Sequence, residues 1–547
     1  MKNTSSKRIT ERLCLALAAV LLAAFLCACA RGNPGGATPA PQQTPEPTAD
    51  AELSPAPGGK LRMAMPENLS VGNAFYDPLI VNTEEALNLY SLVFEPLIAV
   101  DETNGLVPCL AINWSAAPHL ENAWMINLRE GVRWHTGAAL TADDVIYTFD
   151  HLRQLGAESY YKSSVNAIES IMKLDATTLI VTMSSPGLMS LYSLNFPIVK
   201  RDISASVLVG TGAYRVTSYN DERIAMTANA DWWDRPPYVQ AVEFLARDSN
   251  ETALASYAAG QLDLVPTALL AAGKYGDAGV TVVRDYMTQG METMLFNHRR
   301  SLLAKNDLRR AVAMSINRTR IIANVYMNRA RSCDVPVPPD SWLYNGSNRQ
   351  IDYDPQGAAA LLSGLGYTLH DDGLLYSGGE PLTLTLLVSS SSENTTRADA
   401  AAAIASQLAQ VGVTVNVVTA AHNYGQTESE FLTLLSQMNW DIALVGFNLS
   451  VANDLAPYLT VNGANNFGAF PGEEFTPLLR EARNAADEES LRSAFYALEA
   501  KFTEDLPFLV LYFRLNSLVA RAELKGVAAF REPALLRNIK NWYLNEA

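Results

Sequence analysis

Residues 382–447 read LTLTLLVSSSSENTTRADAAAAIASQLAQVGVTVNVVTAAHNYGQTESEFLTLLSQMNWDIALVGF, and this stretch decides the fold class. Three segments, LTLTLLV, VTVNVV and DIALVGF, alternate or run apolar over the length of a strand. The two segments between them, ADAAAAIASQLAQ and FLTLLSQM, are typical of helices. The order strand–helix–strand–helix–strand at this spacing predicts right-handed crossovers and a parallel sheet. The sequence therefore predicts an α/β protein.

The loop at residues 447–458 follows the third of these predicted strands. In open parallel sheets, ligands lie beyond the carboxyl ends of the strands. The order of the elements alone therefore makes this loop a candidate ligand-binding loop.

Residues 128–152 read LREGVRWHTGAALTADDVIYTFDHL and combine a strand end, a glycine turn and a helix. Thr141 and Asp144 have the spacing of a capping box, which predicts that a helix begins here. Helical spacing then places three apolar residues on one buried face: Val145, Phe149 and Leu152. Trp134 and His135 stand at the mouth of the turn, where Gly137 allows a backbone conformation that a side chain would penalise. His135 could be catalytic, or the whole unit could be scaffold.

Other segments continue the mixed α/β pattern on both sides of this unit. Residues 60–65 alternate as a strand, and the glycine turn at 210–213 leads into a predicted strand at 214–219. A helix is predicted to open at Asn306, and a second one has Asp354 as its N-cap and a proline at its first position.

The N-terminus has the features of an export signal. Basic residues precede an apolar run at 13–26 that is short for a membrane span. The run ends in Leu-Cys-Ala-Cys, which resembles a bacterial lipobox. We therefore predict a signal peptide at 1–28 and a lipid on Cys29. An ordinary signal peptide with an incidental cysteine is the alternative.

The residues at 29–59 are rich in Pro, Gly, Ala and Thr and carry few large apolar groups. Such a segment cannot bury enough surface to fold, so it is predicted to be a disordered tether behind the lipid anchor. The protein is thus expected at the extracytoplasmic face of the cell membrane. The formal net charge of −16 argues against nucleic acid as a partner.

Cys109 and Cys333 are the cysteines that remain after the lipidation site. They could form a disulfide in an exported chain, or they could be two buried small hydrophobes. Neither metal-ligand spacing nor the patterns of nucleophile elbows and phosphate loops occur in the sequence. We therefore predict neither a cofactor nor a metal site, and a binding protein rather than an enzyme.

Several motifs, taken in order, resemble the extracellular solute-binding proteins of family 5, the dipeptide, oligopeptide and nickel receptors of ABC importers. The stretch LREGVRWHTGAALTADDVIYTF resembles the signature of that family. Further matches span almost the whole predicted mature chain: VFEPL at 93–97, GTGAYR at 210–215, the segments 229–233 and 307–318, YDPQGAAALLSGLGY at 353–367 and DLP at 505–507.

This resemblance implies a two-lobed, periplasmic-binding-protein-like clamp of the class C type with an additional small inserted domain. The first lobe would comprise 60–98, 191–290 and 506–547, the small domain 99–190, and the second lobe 291–505. In the family the signature around His135 is structural, which favours the scaffold interpretation. The chain would be a monomeric lipoprotein that captures a solute between its lobes and delivers it to the ABC permease and ATPase subunits.

A short peptide is the ligand that the resemblance favours, but the ligand loop departs from the pattern of the family. Peptide receptors carry Gly-Trp and then an acid that pairs with the peptide amine. Here Phe447 matches the tryptophan, the neutral Ser450 stands nearest to the acid, and Asp454 follows four residues later. Asp454 could bind the amine or cap a helix. Phe447 could contact the ligand or pack in the core.

The predicted ligand-binding residues comprise this loop and three tyrosines expected in the cleft walls: Phe447, Asn448, Ser450, Asn453, Asp454, Tyr90, Tyr160 and Tyr161. The three tyrosines could equally be ordinary packing residues. Alternatives for the function are a non-peptide solute such as a sugar or metal chelate, a surface sensor, and an exported enzyme.

Overall fold

A computed structural model describes residues 55–65, 77–80, 84–156, 159–201, 208–276, 279–347, 351–391, 395–423, 427–528, 531–532 and 535–544. The predicted signal peptide, Cys29 and nearly all of the predicted tether lie outside the described residues. No helix in the described ranges is long and apolar enough to cross a membrane.

Strands make up the larger number of elements, and they are numbered here in chain order. They are β1 Gly58–Ala64, β2 Ile98–Val100, β3 Leu106–Pro108, β4 Ala111–Ala116, β5 Ala123–Leu128, β6 Ile168–Lys173, β7 Thr178–Met183, β8 Tyr214–Tyr219, β9 Arg223–Ala228, β10 Val239–Leu245, β11 Leu264–Thr267, β12 Thr281–Phe296, β13 Ala330–Arg331, β14 Thr368–Leu369, β15 Leu375–Ser377, β16 Glu380–Pro381, β17 Thr383–Ser390, β18 Thr414–Ala421, β19 Ile442–Asn448, β20 Phe508–Arg521, β21 Leu524–Lys525 and β22 Tyr543–Leu544.

The α-helices are numbered in the same way. They are α1 Glu84–Tyr90, α2 Ala142–Leu155, α3 Lys162–Ala167, α4 Asn250–Ala258, α5 Asn306–Met314, α6 Arg318–Asn324, α7 Pro355–Gly364, α8 Thr396–Ala409, α9 Glu430–Gln437, α10 Ala456–Leu459, α11 Phe475–Asn484 and α12 Glu488–Asp505. Short 3₁₀ helices lie at Leu188–Leu194, Leu270–Tyr275 and Ile539–Asn541.

The main sheet has 11 strands in the described part of the chain, in the order β18-β17-β19-β12-β20-β11-β1-β10-β9-β8, with β13 beside β20. Strand β17 pairs in parallel with both β18 and β19. The α/β unit predicted from residues 382–447 is therefore confirmed. Its helices α8 and α9 lie between these strands in the sequence, as the pattern predicted.

The two longest strands, β12 and β20, join the two ends of this sheet. They pair antiparallel from Thr281–Arg521 to Leu295–Phe508, with a register shift between Met287 and Met291. On one side β12 continues into the parallel unit through β19, and on the other side β20 continues through β11 to β1. Pairings between distant parts of the chain therefore hold the sheet together.

A separate antiparallel sheet of four strands, in the order β4-β5-β7-β6, packs against α2. The predicted capping box at the start of this helix is present, because the Thr141 amide donates to Asp144 Oδ2 at 2.9 Å. The predicted apolar face of α2 is buried against the sheet. The N-cap predicted at Asp354 is also present, with its carboxylate accepting from the Gly357 amide.

The turn at Trp134 and His135 ties the strand and helix of the 128–152 stretch to the glycine turn at 210–213. The Trp134 side chain is buried, and Gly137 has φ +88°. The His135 amide donates to Gly210 O at 2.9 Å, and its Nε2 lies 3.1 Å from Gly212 O. Burial lowers the pKa of His135 to about 4, so the ring is neutral at pH 7.

Cys109 and Cys333 are both free, so the disulfide that the sequence left open is not formed. The Cys333 thiol lies in the core and donates to the carbonyl oxygens of Val335 and Val337. Cys333 therefore matches the alternative of a buried small hydrophobe. Cys109 lies in the wall of a cavity, which is described next.

Candidate ligand-binding cavity

A cavity of about 680 Å³ lies where α1, the 99–109 segment, the loop after β19 and the C-terminal segment meet. Its volume is in the range of small-molecule and peptide sites. Aromatic side chains form much of its wall: Tyr90, Phe94, Tyr160, Tyr161, Tyr192, Trp232 and Trp233. The three tyrosines predicted for the cleft, Tyr90, Tyr160 and Tyr161, all line this cavity.

Glu95 is a buried carboxylate in the cavity wall. Its oxygens accept hydrogen bonds from Thr211 Oγ1 at 2.7 Å and from the indole nitrogens of Trp232 and Trp233 at 3.2 and 3.0 Å. Burial raises the pKa of Glu95 to about 7, although these hydrogen bonds and the charge of Arg129 partly oppose the shift. The site thus holds a carboxyl group that is close to half-protonated at neutral pH.

Four cationic side chains also line the cavity: Arg129, Arg531, Arg537 and Lys540. Arg531 is 4% exposed and pairs with Asp340 at 3.0 Å, and Lys540 pairs with Asp234. The guanidinium of Arg129 stacks 4.1 Å from the ring centre of Trp233, which is a cation–π geometry. The wall therefore offers both flat apolar surfaces and charged groups.

The candidate ligand loop reaches the cavity through Leu449, Ser450 and Val451. Ser450 also lines a second cavity of about 310 Å³, which Asp454 lines as well. The Asp454 carboxylate accepts from the Ala456 amide at 3.0 Å, close to the start of α10. Asp454 therefore has the local contact expected of a capping residue and also faces an open volume.

The other predicted loop residues do not line the larger cavity. Phe447 is buried between Tyr458 and Phe467, with ring centres 5.1 and 6.2 Å away. The Asn448 side chain lies 3.5 Å from Arg514 Nη2. Asn453 is fully buried with φ +54°, and its Nδ2 donates to Pro336 O. The structure thus places Ser450 in the same cavity wall as the three predicted tyrosines. Phe447, Asn448 and Asn453 lie outside that wall.

Sequence reasoning missed the walls formed by 99–109, by 531–532 and by 536–540. Glu95 belongs to a recognised motif, but nothing in the motif predicts that Thr211, Trp232 and Trp233 converge on it. Within the ranges that the structure describes, no group of three or more His, Cys, Asp or Glu side chains could hold a metal ion. The arrangement of aromatic and charged groups is suited to binding a solute.

The fold and the cavity correspond to a known class of protein, the two-lobed clamps that bind solutes. The sequence profile of the bacterial extracellular solute-binding proteins, family 5 Middle, matches residues 105–469. The chain belongs to this family, whose members are binding proteins rather than enzymes. The resemblance predicted from the motifs is confirmed, and so is the fold class.

Similar proteins match most of the chain. The oligopeptide-binding protein AppA of Bacillus subtilis is 22% identical, over 98% of this chain and 99% of its own. Heme-binding protein A of Haemophilus influenzae is 26% identical over 70% and 74%. HbpA2 from Haemophilus parasuis superposes with a TM-score of 0.75 at 18% identity, covering 89% of this chain and all of that one.

Proposed function

We propose that this protein is the substrate-binding component of an ABC importer, and that it captures an extracellular solute in the 680 Å³ cavity. The observation that carries the proposal is the cavity itself: seven aromatic side chains and four cations line it, next to the loop at the carboxyl end of β19. The bound solute would then be delivered to the membrane permease and its ATPase subunits.

A short peptide is the solute that we favour. Aromatic walls accept varied side chains, and the charged side chains that line the same cavity suit a zwitterionic ligand. Asp454 would bind the peptide amine from the second cavity, with Ser450 between the two volumes. AppA of Bacillus subtilis, named as an oligopeptide-binding protein, supports this class of ligand.

A non-peptide solute is the second candidate. The neutral Ser450 stands where peptide receptors carry an acid, and a similar protein in Haemophilus influenzae is named for heme binding. A sugar or a metal chelate would need no carboxylate at this point of the wall. Titration calorimetry with short peptides separates these ligands from peptides with a free amine.

Closure of two lobes around the ligand would couple binding to transport. We infer a first lobe at 60–98, 191–290 and 506–547, a small domain at 99–190 and a second lobe at 291–505. The long strands β12 and β20 would connect the lobes. A ligand shifts such an equilibrium only if it binds the closed form more tightly. If X-ray scattering detected no compaction on saturation with a bound ligand, closure would be refuted.

The protein would act at the outer face of the cell membrane, held by a lipid on Cys29. The Leu-Cys-Ala-Cys pattern and the proline-rich segment behind it support this location. We expect a Cys29→Ser variant to be released or to stay uncleaved. If this variant were processed normally and remained in the membrane fraction, the lipid anchor would be wrong.

Replacement of Asp454 tests the peptide proposal. If Asp454 pairs with an amine, Asp454→Asn lowers affinity for free-amine peptides about 10- to 150-fold, because charged hydrogen bonds contribute about 1.5–3 kcal/mol. Ser450→Ala is the matched neutral change in the same loop, and it should reduce the binding free energy by about 0.5–1.5 kcal/mol. Titration calorimetry with a mixed set of short peptides measures both. A folded wild-type protein that gives no binding heat with any free-amine peptide would move the assignment to a non-peptide or amine-blocked solute.

A further inference from the structure

The four cations of the larger cavity differ in their partners. Arg531 and Lys540 form ion pairs with Asp340 and Asp234, as described above. Arg129 and Arg537 form no ion pair with any residue that the structure describes. Two guanidinium groups in the wall of this cavity therefore lack a carboxylate partner of their own.

Backbone carbonyl groups hold both of these side chains in place. Arg129 Nε donates to Cys109 O at 3.2 Å, and Arg537 Nη1 donates to Val100 O at 2.5 Å. A guanidinium has five N–H donors, so a single backbone contact fixes its position and leaves other donors for a ligand. Both acceptor carbonyls belong to the 99–109 segment of the cavity wall, and the charges of both arginines oppose the rise in the pKa of the Cys109 thiol that burial causes.

The carboxyl group beside Cys109 is that of Glu95, with Oε1 3.9 Å from the thiol sulfur. Its two oxygens already accept hydrogen bonds from Thr211 and the two indoles, and its pKa of about 7 means that it is only partly ionised at neutral pH. It therefore balances only part of the two positive charges.

Three further acidic residues of the wall are Asp101, Glu102 and Glu532. Asp101 accepts from the amides of Thr103 and Gly105, and its charge acts on Arg531. Glu532 accepts from Tyr286. Glu102 is exposed, and its carbonyl oxygen accepts from Arg531. Among the described residues, none of these three carboxylates forms an ion pair with Arg129 or Arg537.

We propose that Arg129 and Arg537 form a carboxylate-recognition site at the Cys109 end of the cavity. This inference rests on the proposed function and specifies it: the solute carries a carboxylate, which is the C-terminal carboxylate if the solute is a peptide. Guanidinium groups suit this role because their planar donors match the two oxygens of a carboxylate.

Cys109 allows a test that needs no knowledge of the ligand. The rate at which its thiol reacts with an anionic sulfonatoethyl thiosulfonate is compared with the rate for a cationic trimethylammonium analogue. The ratio cancels the intrinsic reactivity of the thiol, and Cys109→Ser supplies the background. Removing one positive charge that acts on this thiol should lower the anionic-to-cationic ratio about fivefold in Arg537→Gln.

Controls distinguish a local effect from one of total charge. Arg537→Lys keeps the charge and should keep the ratio near that of the wild type. Arg223→Gln removes the same charge from an exposed ion pair with Glu243, outside the cavity, and should leave the ratio unchanged. If Arg537→Gln and Arg129→Gln both leave the ratio unchanged, the proposal is overturned. Arg537→Gln alone decides the matter if Arg129→Gln does not fold.

A second experiment connects the site to peptide binding. Tetra-alanine with a free carboxylate should bind about tenfold more tightly than its C-terminal amide, and Arg537→Gln should remove this preference. Equal affinity of the two forms for the wild type would overturn the carboxylate site while peptide binding stands. If neither form binds, the peptide assignment loses its support, and the reagent ratio still decides whether the site recognises an anion.

Discussion

Two buried glutamates, Glu95 and Glu292, show how partners decide the state of a carboxyl group. Their exposures are nearly equal, 6% and 4%. Glu95 is surrounded by neutral donors in the cavity wall, and burial raises its pKa to about 7. Glu292 lies on β12 between Arg397 and Arg514. Burial alone would raise its pKa as well, but the two arginine charges outweigh this effect, and its pKa is lowered.

The Glu292 ion pair depends on close packing at a neighbouring strand. Arg397 donates to both oxygens of Glu292, at 2.9 and 3.0 Å. On β19, a Cβ at Gly446 would lie 2.5 Å from Arg397 Nη2 and 2.9 Å from Glu292 Oε1. The charged pair is therefore part of the sheet core, whereas Glu95 adjoins a volume that a ligand can enter. The glutamate with the structural role, Glu292, has a lowered pKa and is ionised. The glutamate in the cavity wall, Glu95, has a pKa near neutrality.

The largest expected effect is at Glu292. Arg397→Met removes the bidentate partner and leaves a buried carboxylate, so we expect a loss near the lower end of about 3–5 kcal/mol in the free energy of unfolding. Urea unfolding at pH 7 measures it. Adding Glu292→Gln to Arg397→Met should recover part of the loss. If the single variant were as stable as the wild type, Glu292 would not depend on Arg397.

A pH-dependent effect is expected at Glu95. Because its folded pKa lies above its ordinary value of 4.5, its contribution to stability is complete below pH 4.5 and is lost as the pH rises through about 7. At roughly 1.4 kcal/mol per pKa unit, the loss over this window is roughly 3 kcal/mol. Glu95→Gln should remove this component. The measurement is the free energy of unfolding of the variant and of the wild type from pH 4 to 8. If the difference between the two proteins were constant over this range, the pKa of Glu95 would not be raised.

The smallest expected effect is at His135, which contacts the same glycine turn that supplies Thr211 to Glu95. His135→Ala should lower the free energy of unfolding by about 0.5–1.5 kcal/mol, because Gly212 O loses its contact with the ring but still accepts from Asn229 Nδ2 at 3.1 Å. The folded pKa is lowered to about 4, so the contribution of the wild-type ring is complete above pH 6.5 and is lost as the pH falls through about 4. Ligand affinity should not change where both proteins are folded. A tenfold loss of affinity would assign His135 to the site.

Local sequence patterns predicted the local parts of this molecule. The parallel unit of β17, β18 and β19, the capping box at Thr141 and the N-cap at Asp354 each depend on residues close together in the chain. The family motifs predicted a structural His135, and the structure gives it backbone contacts. The role of Asp454 in binding an amine stays a prediction. Its carboxylate accepts from the Ala456 amide, as a capping residue does, but the residue also lines the second cavity.

Long-range contacts account for what the sequence did not predict. Arg537 is held by Val100, 437 residues away along the chain, and no periodicity or turn signal relates two such positions. The convergence of Trp232 and Trp233 on Glu95 likewise depends on the pairing of distant strands. Phe447 occupies a predicted ligand position, yet its ring packs between Tyr458 and Phe467, because the strand that carries it is covered by residues further along the chain.

The most direct test of the account is whether a solute occupies the cavity beside Ser450. This residue lines both cavities, so Ser450→Trp should fill the space between them. Ser218→Trp, at an exposed position on β8, is the matched control. After incubation with mixed short peptides, native mass spectrometry should show a bound peptide on the wild type and on Ser218→Trp, and none on Ser450→Trp. The same peptide retained by a folded Ser450→Trp protein would contradict the assignment of this cavity as the binding site.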